Sequence, residues 1–245
     1  MALTRKTALA ASGLTGTTAL LHRTLTQALQ KNASLKDFPN GTLAALEREL
    51  RIRTYAARET IFFEGQTPDE VLLILRGVVT LTYLDSRRRR VLFAVIGPGE
   101  ICAHALVLPQ PLQTRLRCDA VRDCVIAQIN YRRLVEVLFG VPFGRFAAAT
   151  AFLFGTRDGR LAAALLGRGM TLRERLLEVI GDLCARFGVS HPQGTMLDLP
   201  LTHEDLADLT GASRPKVTHE IRQLEKERLL GREGRRLVLR KTADL

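Results

Sequence analysis

Residues 201–230 read Leu201-Thr-His-Glu-Asp-Leu-Ala-Asp-Leu-Thr-Gly-Ala-Ser-Arg-Pro-Lys-Val-Thr-His-Glu-Ile-Arg-Gln-Leu-Glu-Lys-Glu-Arg-Leu-Leu230. Thr202 is a good helix N-cap, and Asp205 three residues on completes a capping-box-like start. Leu206 and Leu209 give this helix an apolar face, and Ala207 is small enough for a second helix to cross close by. Gly211 supplies the backbone freedom for a tight turn. Ser213 is placed to cap the second helix, with Pro215 in its first turn, where a missing N–H does little harm. Val217, Ile221 and Leu224 recur at i, i+4 and i+7 and face inward. Pro215, His219, Arg222 and Lys226 fall on the opposite face, flanked by Lys216 and Thr218. This spacing predicts a helix-turn-helix, the element that sets a helix into the major groove of DNA. The alternative is an ordinary helical hairpin in a globular core.

Leu229-Leu-Gly-Arg-Glu-Gly-Arg-Arg-Leu-Val-Leu-Arg240 then reads as strand, tight turn at Glu233-Gly234, and strand. A basic hairpin directly after a recognition helix is a wing, with Arg232, Arg235 and Arg236 as phosphate contacts. The distribution of charge agrees. The formal net charge is +11. Residues 170–211 carry 3 basic and 7 acidic side chains, whereas residues 212–241 carry 10 and 4. The basic pole is the predicted reading end, which says more than the total charge.

With 245 residues and 46% hydrophobic content, the chain has enough material for two small cores and is not a disordered polymer. Cys102, Cys118, Cys124 and Cys184 form no C-x-x-C pair, which predicts a reduced, cytoplasmic protein. No apolar run approaches the ~20 residues that span a bilayer, so no membrane partner is expected. Residues 1–36 hold five bases and no acid. A flexible N-terminal arm over 1–34 is expected, with a targeting peptide as the alternative.

Residues 42–50 suggest a short helix, and from Thr54 the pattern changes. Short apolar runs alternate with turn signals: Thr60–Phe63, Val71–Leu75, Val78–Tyr83, Val91–Ile96, Leu116–Val121 and Cys124–Ile129. Many short strands at this spacing imply a β-sandwich or barrel. Arg87-Arg-Arg-Arg90 falls between two of them and reads as a solvated hairpin tip, with a docking surface for RNA polymerase or membrane as the alternative.

Phe63-Glu-Gly65, Leu75-Arg-Gly77, Gly97-Pro-Gly-Glu100 and the terminal helix-turn-helix with its wing resemble the Crp/Fnr family of bacterial transcription regulators, over residues 35–240. The resemblance implies an α+β architecture. A β-roll like the cyclic-nucleotide-binding jelly roll would occupy 35–139, a long dimerisation helix 140–168, and a winged helix-turn-helix 169–245. It further implies a homodimer on near-palindromic double-stranded DNA, RNA polymerase as partner, and no enzymatic activity. Pro142 would open the long helix, with Phe143, Phe146, Ala147, Thr150, Leu153, Phe154 and Leu161 as its apolar stripe. Gly155 and Gly159 weaken that helix by ~1 kcal/mol each. Arg214, Pro215, Thr218 and His219 are the candidates at the bases, with Lys216, Arg222 and the wing arginines on phosphate and Ser213 as a further DNA-binding candidate. Many relatives carry Arg-Glu-x-x-x-Arg here. Pro215 replaces the Glu and cannot accept from a cytosine amine, and His219 replaces the second Arg, so a different target sequence is expected.

The effector side departs from the cyclic-AMP-responding relatives. Ala103 stands where they carry Gly, His104 where they carry Glu, and Thr114 where they carry the phosphate-pairing Arg. Arg115 is one residue away but is followed by Leu116, not by a hydroxyl. An effector other than cyclic AMP is therefore expected, another nucleotide being one option. Cys102-Ala-His104 resembles the C-x-H of the carbon-monoxide-sensing haem regulators of this family. Thiolate and imidazole are both good iron ligands. Cys102 and His104 are thus candidate haem ligands, and Cys102, Ala103, His104 and Arg115 candidate effector contacts. The alternatives are a packed Cys102 and an effector-independent DNA binder. A cupin-like metal enzyme would need clustered histidines; His22, His104, His191, His203 and His219 are widely spaced.

Overall fold

The computed structural model describes residues 23–30, 32, 35–36, 38–66, 69–103, 116–140 and 169–240. The expected dimerisation helix from residue 141 on, together with His22, His104, Thr114 and Arg115, lies outside them.

Eight strands build the front of the molecule: β1 (Arg51–Tyr55), β2 (Thr60–Phe62), β3 (Glu70–Arg76), β4 (Val79–Leu84), β5 (Arg90–Ile96), β6 (Ile101–Ala103), β7 (Leu116–Ala120) and β8 (Cys124–Asn130). They form two four-stranded antiparallel sheets, ordered β1-β8-β3-β6 and β2-β7-β4-β5. Side chains alternate faces along a strand. Leu72, Ile74, Cys124 and Ile126 therefore meet Phe62, Leu81 and Cys118 between the sheets. Val71, Leu73, Leu75, Ala127 and Ile129 turn the other way, under helices. With both faces covered, β3 reads as an unbroken apolar run. The Leu75-Arg-Gly77 motif ends that strand for a steric reason. Gly77 has φ +92°, and a Cβ there would lie 2.5 Å from the Asp123 carbonyl oxygen and from Cys124 Sγ.

The covering helices are residues 23–30, α1 (Asn40–Glu49) and α2 (Tyr131–Phe139). The first corrects the expectation of a flexible arm over residues 23–30, the rest of that arm before it lying outside the described residues: Leu25 and Leu29 are each 2% exposed in this core. Burying such a side chain contributes ~1.5–3 kcal/mol, enough to hold a short helix in place. Helix α2 was not expected before Gly140. Its signals are an Asn130 side chain accepting from the Arg132 N–H, a left-handed Gly140 at its end, and buried Leu134, Val135 and Leu138.

The rear unit comprises α3 (Leu172–Phe187), β9 (Gly188–His191), β10 (Gly194–Leu197), α4 (His203–Thr210), α5 (Arg214–Lys226), β11 (Leu230–Glu233) and β12 (Arg236–Arg240). Its sheet runs β11-β12-β10-β9, so the wing is backed by a second hairpin that the sequence reading lacked. Thr171 and Glu174 form a reciprocal capping box that starts α3.

Front and rear share one apolar core. Val78, Leu92 and Val95 pack with Leu176, Ile180, Leu183 and Leu206. Polar contacts frame it. The Leu92 N–H donates to Asp208 Oδ2 at 2.9 Å, and Arg89 Nη1 lies 2.5 Å from Glu204 Oε1 and 3.4 Å from Asp208 Oδ1. Arg186 Nη2 donates to the Val95 carbonyl and to Glu100 Oε2, both at 2.6 Å. Arg122 reaches the Asp198 carbonyl at 2.5 Å.

Candidate functional site

Helices α4 and α5 form the predicted motif. The Thr202 hydroxyl accepts from the Asp205 N–H, and the Asp205 carboxylate accepts from the Thr202 N–H at 2.7 Å, a complete capping box. Gly211 takes φ +64°, the left-handed turn that lets α5 cross α4. Val217, Ile221 and Leu224 are fully buried, as their spacing predicts. Ser213 occupies the N-cap position of α5, but its side chain makes no cap hydrogen bond.

The outward face of α5 is open. Arg214, Pro215, Lys216, His219 and Arg222 are all exposed. Pro215, Lys216 and His219, with Leu172 and Glu220, line an open hollow of about 420 Å³. The four acids within 212–241 are turned to partners. Arg173 of α3 pairs with Glu220 and Glu227, Arg232 pairs with Glu225, and Glu233 lies 2.9 Å from His191. Among the described residues, Arg214, Lys216, Arg222 and Arg235 carry no ion pair. A surface with free cations and committed anions suits a polyanion.

The wing differs from its reading in two details. The turn is Gly234-Arg235, one residue later than expected, because Glu233 pairs with Arg236. Two of the three wing arginines are tied down. Arg236 lies 3.1 Å from Asp198, and Arg232 binds Glu225 and the ring of His203.

His203, absent from the predicted contacts, joins all three reading elements. Its Nδ1 lies 2.9 Å from Thr218 Oγ1 on α5, and its Nε2 lies 2.7 Å from Arg232 Nη2 on the wing. A guanidinium only donates, so Nε2 must accept and the proton sits on Nδ1, donating to Thr218. Burial, then the nearby Arg232, Arg214 and Arg222, hold the imidazole pKa below its ordinary value against the opposing pull of Glu225. Nothing in the one-dimensional pattern joins positions 203, 218 and 232.

On the sensor side, only part of the candidate set is described. Cys102 is 1% exposed between the two sheets. A hydrogen bond with Cys102, together with burial, pushes the Cys118 thiol well above the ordinary thiol range. Cys102 is thus packed beside Cys118 between the sheets. The rest of the C-x-H and Arg115 lie outside the described residues, as does the Ala103 side chain. Among the described residues, no group of three or more His, Cys, Asp or Glu side chains could hold a metal ion, and no helix is long and apolar enough to cross a membrane.

Comparison with known proteins matches both halves. Residues 52–140 match the cyclic nucleotide-binding domain, and residues 159–245 the Crp-like helix-turn-helix domain. The transcriptional activator protein FnrL of Cereibacter sphaeroides is 25% identical over 224 residues, covering 90% of this chain and 88% of that protein. The CRP-like protein Clp of Xanthomonas euvesicatoria is 24% identical over 207 residues, covering 81% and 88%. Among solved structures, the c-di-GMP-responsive global regulator CLP of Xanthomonas campestris shares the fold. Its TM-score is 0.63 at 22% identity, covering 83% of this chain and all of that one. With a β-roll in front, a winged helix-turn-helix behind and relatives matched along nearly its whole length, the chain belongs to the Crp/Fnr family of transcription regulators.

Proposed function

We propose that the chain acts in the cytoplasm as a homodimer, joined through residues 140–168, which sets two copies of α5 into successive major grooves of a near-palindromic site. RNA polymerase is the partner this reading implies. Arg214, Pro215, Thr218 and His219 meet base edges, while Ser213, Lys216, Arg222 and the wing arginines Arg232, Arg235 and Arg236 hold phosphates. The observation that carries this reading is the exposed face of α5, whose cations are free while every neighbouring acid is paired. The effector is not cyclic AMP, because Ala103, His104 and Thr114 replace the residues that hold the nucleotide in cyclic-AMP-responding relatives.

Selection from a randomised duplex pool tests the reading. The expected winner carries two half-sites about one helical turn apart. On that winner, Arg214→Ala costs ~1–3 kcal/mol and relaxes one base preference, and added cyclic AMP leaves affinity unchanged. A pool that stays random would reject sequence-specific reading, and equal loss on every single-base variant would make Arg214 a phosphate contact only.

A further inference from the structure

The run Arg87–Arg90 is not accounted for by the helix-turn-helix, and its placement suggests a use. Strand β5 and the residue before it run along α4 in the same direction. Leu92 sits beside Asp208 and Arg89 beside Glu204, nearer the start of the helix. Arg88 and Arg87 follow Arg89 into the hairpin tip, next to the contact that Arg89 makes with Glu204 in the first turn of α4. In a helix-turn-helix the first helix crosses the DNA backbone, and helix N-termini are common phosphate contacts.

The tip is built to hold charge in that position. Asp85 Oδ1 accepts the backbone N–H of Arg87 at 2.9 Å and of Arg89 at 2.8 Å, which fixes the turn. Arg88 sits at φ +58°, where glycine would be unstrained. Arg89 is shared among Asp85, Glu204 and Asp208, which leaves Arg87 and Arg88 as the uncommitted cations of the tip. Arg87 and Arg88 are exposed and carry no ion pair among the described residues.

The geometry points to the β4–β5 hairpin of the front domain as a second DNA-contact element, in which Arg87 and Arg88 bind backbone phosphates beside those held by α4 and α5. This rests on the DNA-binding reading above. The partner is duplex DNA, recognised by its phosphate spacing and not by sequence, so the sensor half itself adds to affinity. Any rearrangement that lifts β5 from α4 withdraws these two charges from the DNA.

The test uses the full chain and a mixed-sequence duplex of about 40 base pairs, titrated between about 50 and about 200 mM salt. Each phosphate contact contributes about 0.9 to the slope of log affinity against log salt. Arg87→Gln with Arg88→Gln is expected to flatten the slope by about 1.8 per chain. For the bound dimer that is about 3.6, so wild type loses about 150-fold more affinity than the variant across that range. Arg88→Gly separates charge from strain: it should flatten the slope by about 0.9 while the melting temperature holds or rises. Unchanged slopes in both variants, with folding verified by circular dichroism, would overturn the inference. So would an unchanged slope with a loss confined to transcription by RNA polymerase, which would assign the hairpin to a protein partner. If wild type bound no duplex at all, the DNA-binding reading itself would fall, a result distinct from either.

Discussion

His203 shows how one side chain ties the reading surface together. It accepts from Arg232 and donates to Thr218, an arrangement that only the neutral ring with its proton on Nδ1 can make. Its folded pKa lies below the ordinary value of ~6.5. An unfolded chain therefore takes up this proton first as pH falls. The stabilisation from His203 is full above ~6.5 and is lost as pH drops through the lower folded value. Protonation also places an N–H against the Arg232 guanidinium, which frees the wing. His203→Gln keeps one acceptor and one donor at similar reach without titrating. Urea unfolding from about pH 7.5 to about pH 5 should show wild type losing stability relative to His203→Gln. Parallel profiles for the two proteins would exclude His203 as the titrating link.

At the scale of the element, the recognition helix is held by three fully buried side chains, and Ile221 is the middle one. Ile221→Ala should cost ~2–5 kcal/mol in thermal or denaturant unfolding, the usual range for emptying such a site. A loss below that range would mean that α3 and α4 close over the gap. Elements of this kind were legible because their own periodicity carries them. The stripe Val217, Ile221, Leu224 and the glycine-bounded apolar runs needed no partner to be read. The elements that were missed lacked that property or were hidden by a competing signal. Strand β1 is an edge strand whose only half-buried residues, Ile52 and Tyr55, break the two-residue period, and β6 is three residues long. The β9–β10 hairpin carries a turn signal, His191-Pro-Gln-Gly194, but its strands are only four residues each, too short for their own periodicity to declare them. Helix α2 carries end signals at Asn130 and Gly140, but its nine residues run straight up to the start of the longer apolar stripe expected from Gly140, so the two read as one stretch. The exposed basic face of α5 was legible for the same reason as its helix. The His203 link and the Arg89 contact were not, because they join residues 15 to 115 positions apart.

For the whole molecule, the decisive fact is that sensor and reader are not beads on a string. The same apolar cluster runs from Val78, Leu92 and Val95 into Leu176, Ile180 and Leu206, so neither unit can open there without exposing the other. Arg186 fastens the seam. It donates to the Val95 carbonyl, pairs with Glu100 of the Gly97–Glu100 turn and with Asp182 on its own helix, and stacks 4.5 Å over Phe187. Gly97 shows how tight the approach is, since a Cβ there would come within 2.3 Å of the Phe187 ring. The family turn motif is thereby a hinge plate between the halves as well as a bend in the roll. A shared core predicts a single cooperative unfolding transition for the two units. Arg186→Ala removes charged hydrogen bonds at a partly buried site, for ~1–3 kcal/mol. Gly97→Ala drives Phe187 out of its place. Each variant is expected to split the calorimetric trace in two, with the reader melting first because α3 loses its support on β5. A single transition at the wild-type temperature in both would show that neither Arg186 nor the close approach at Gly97 holds the two units together.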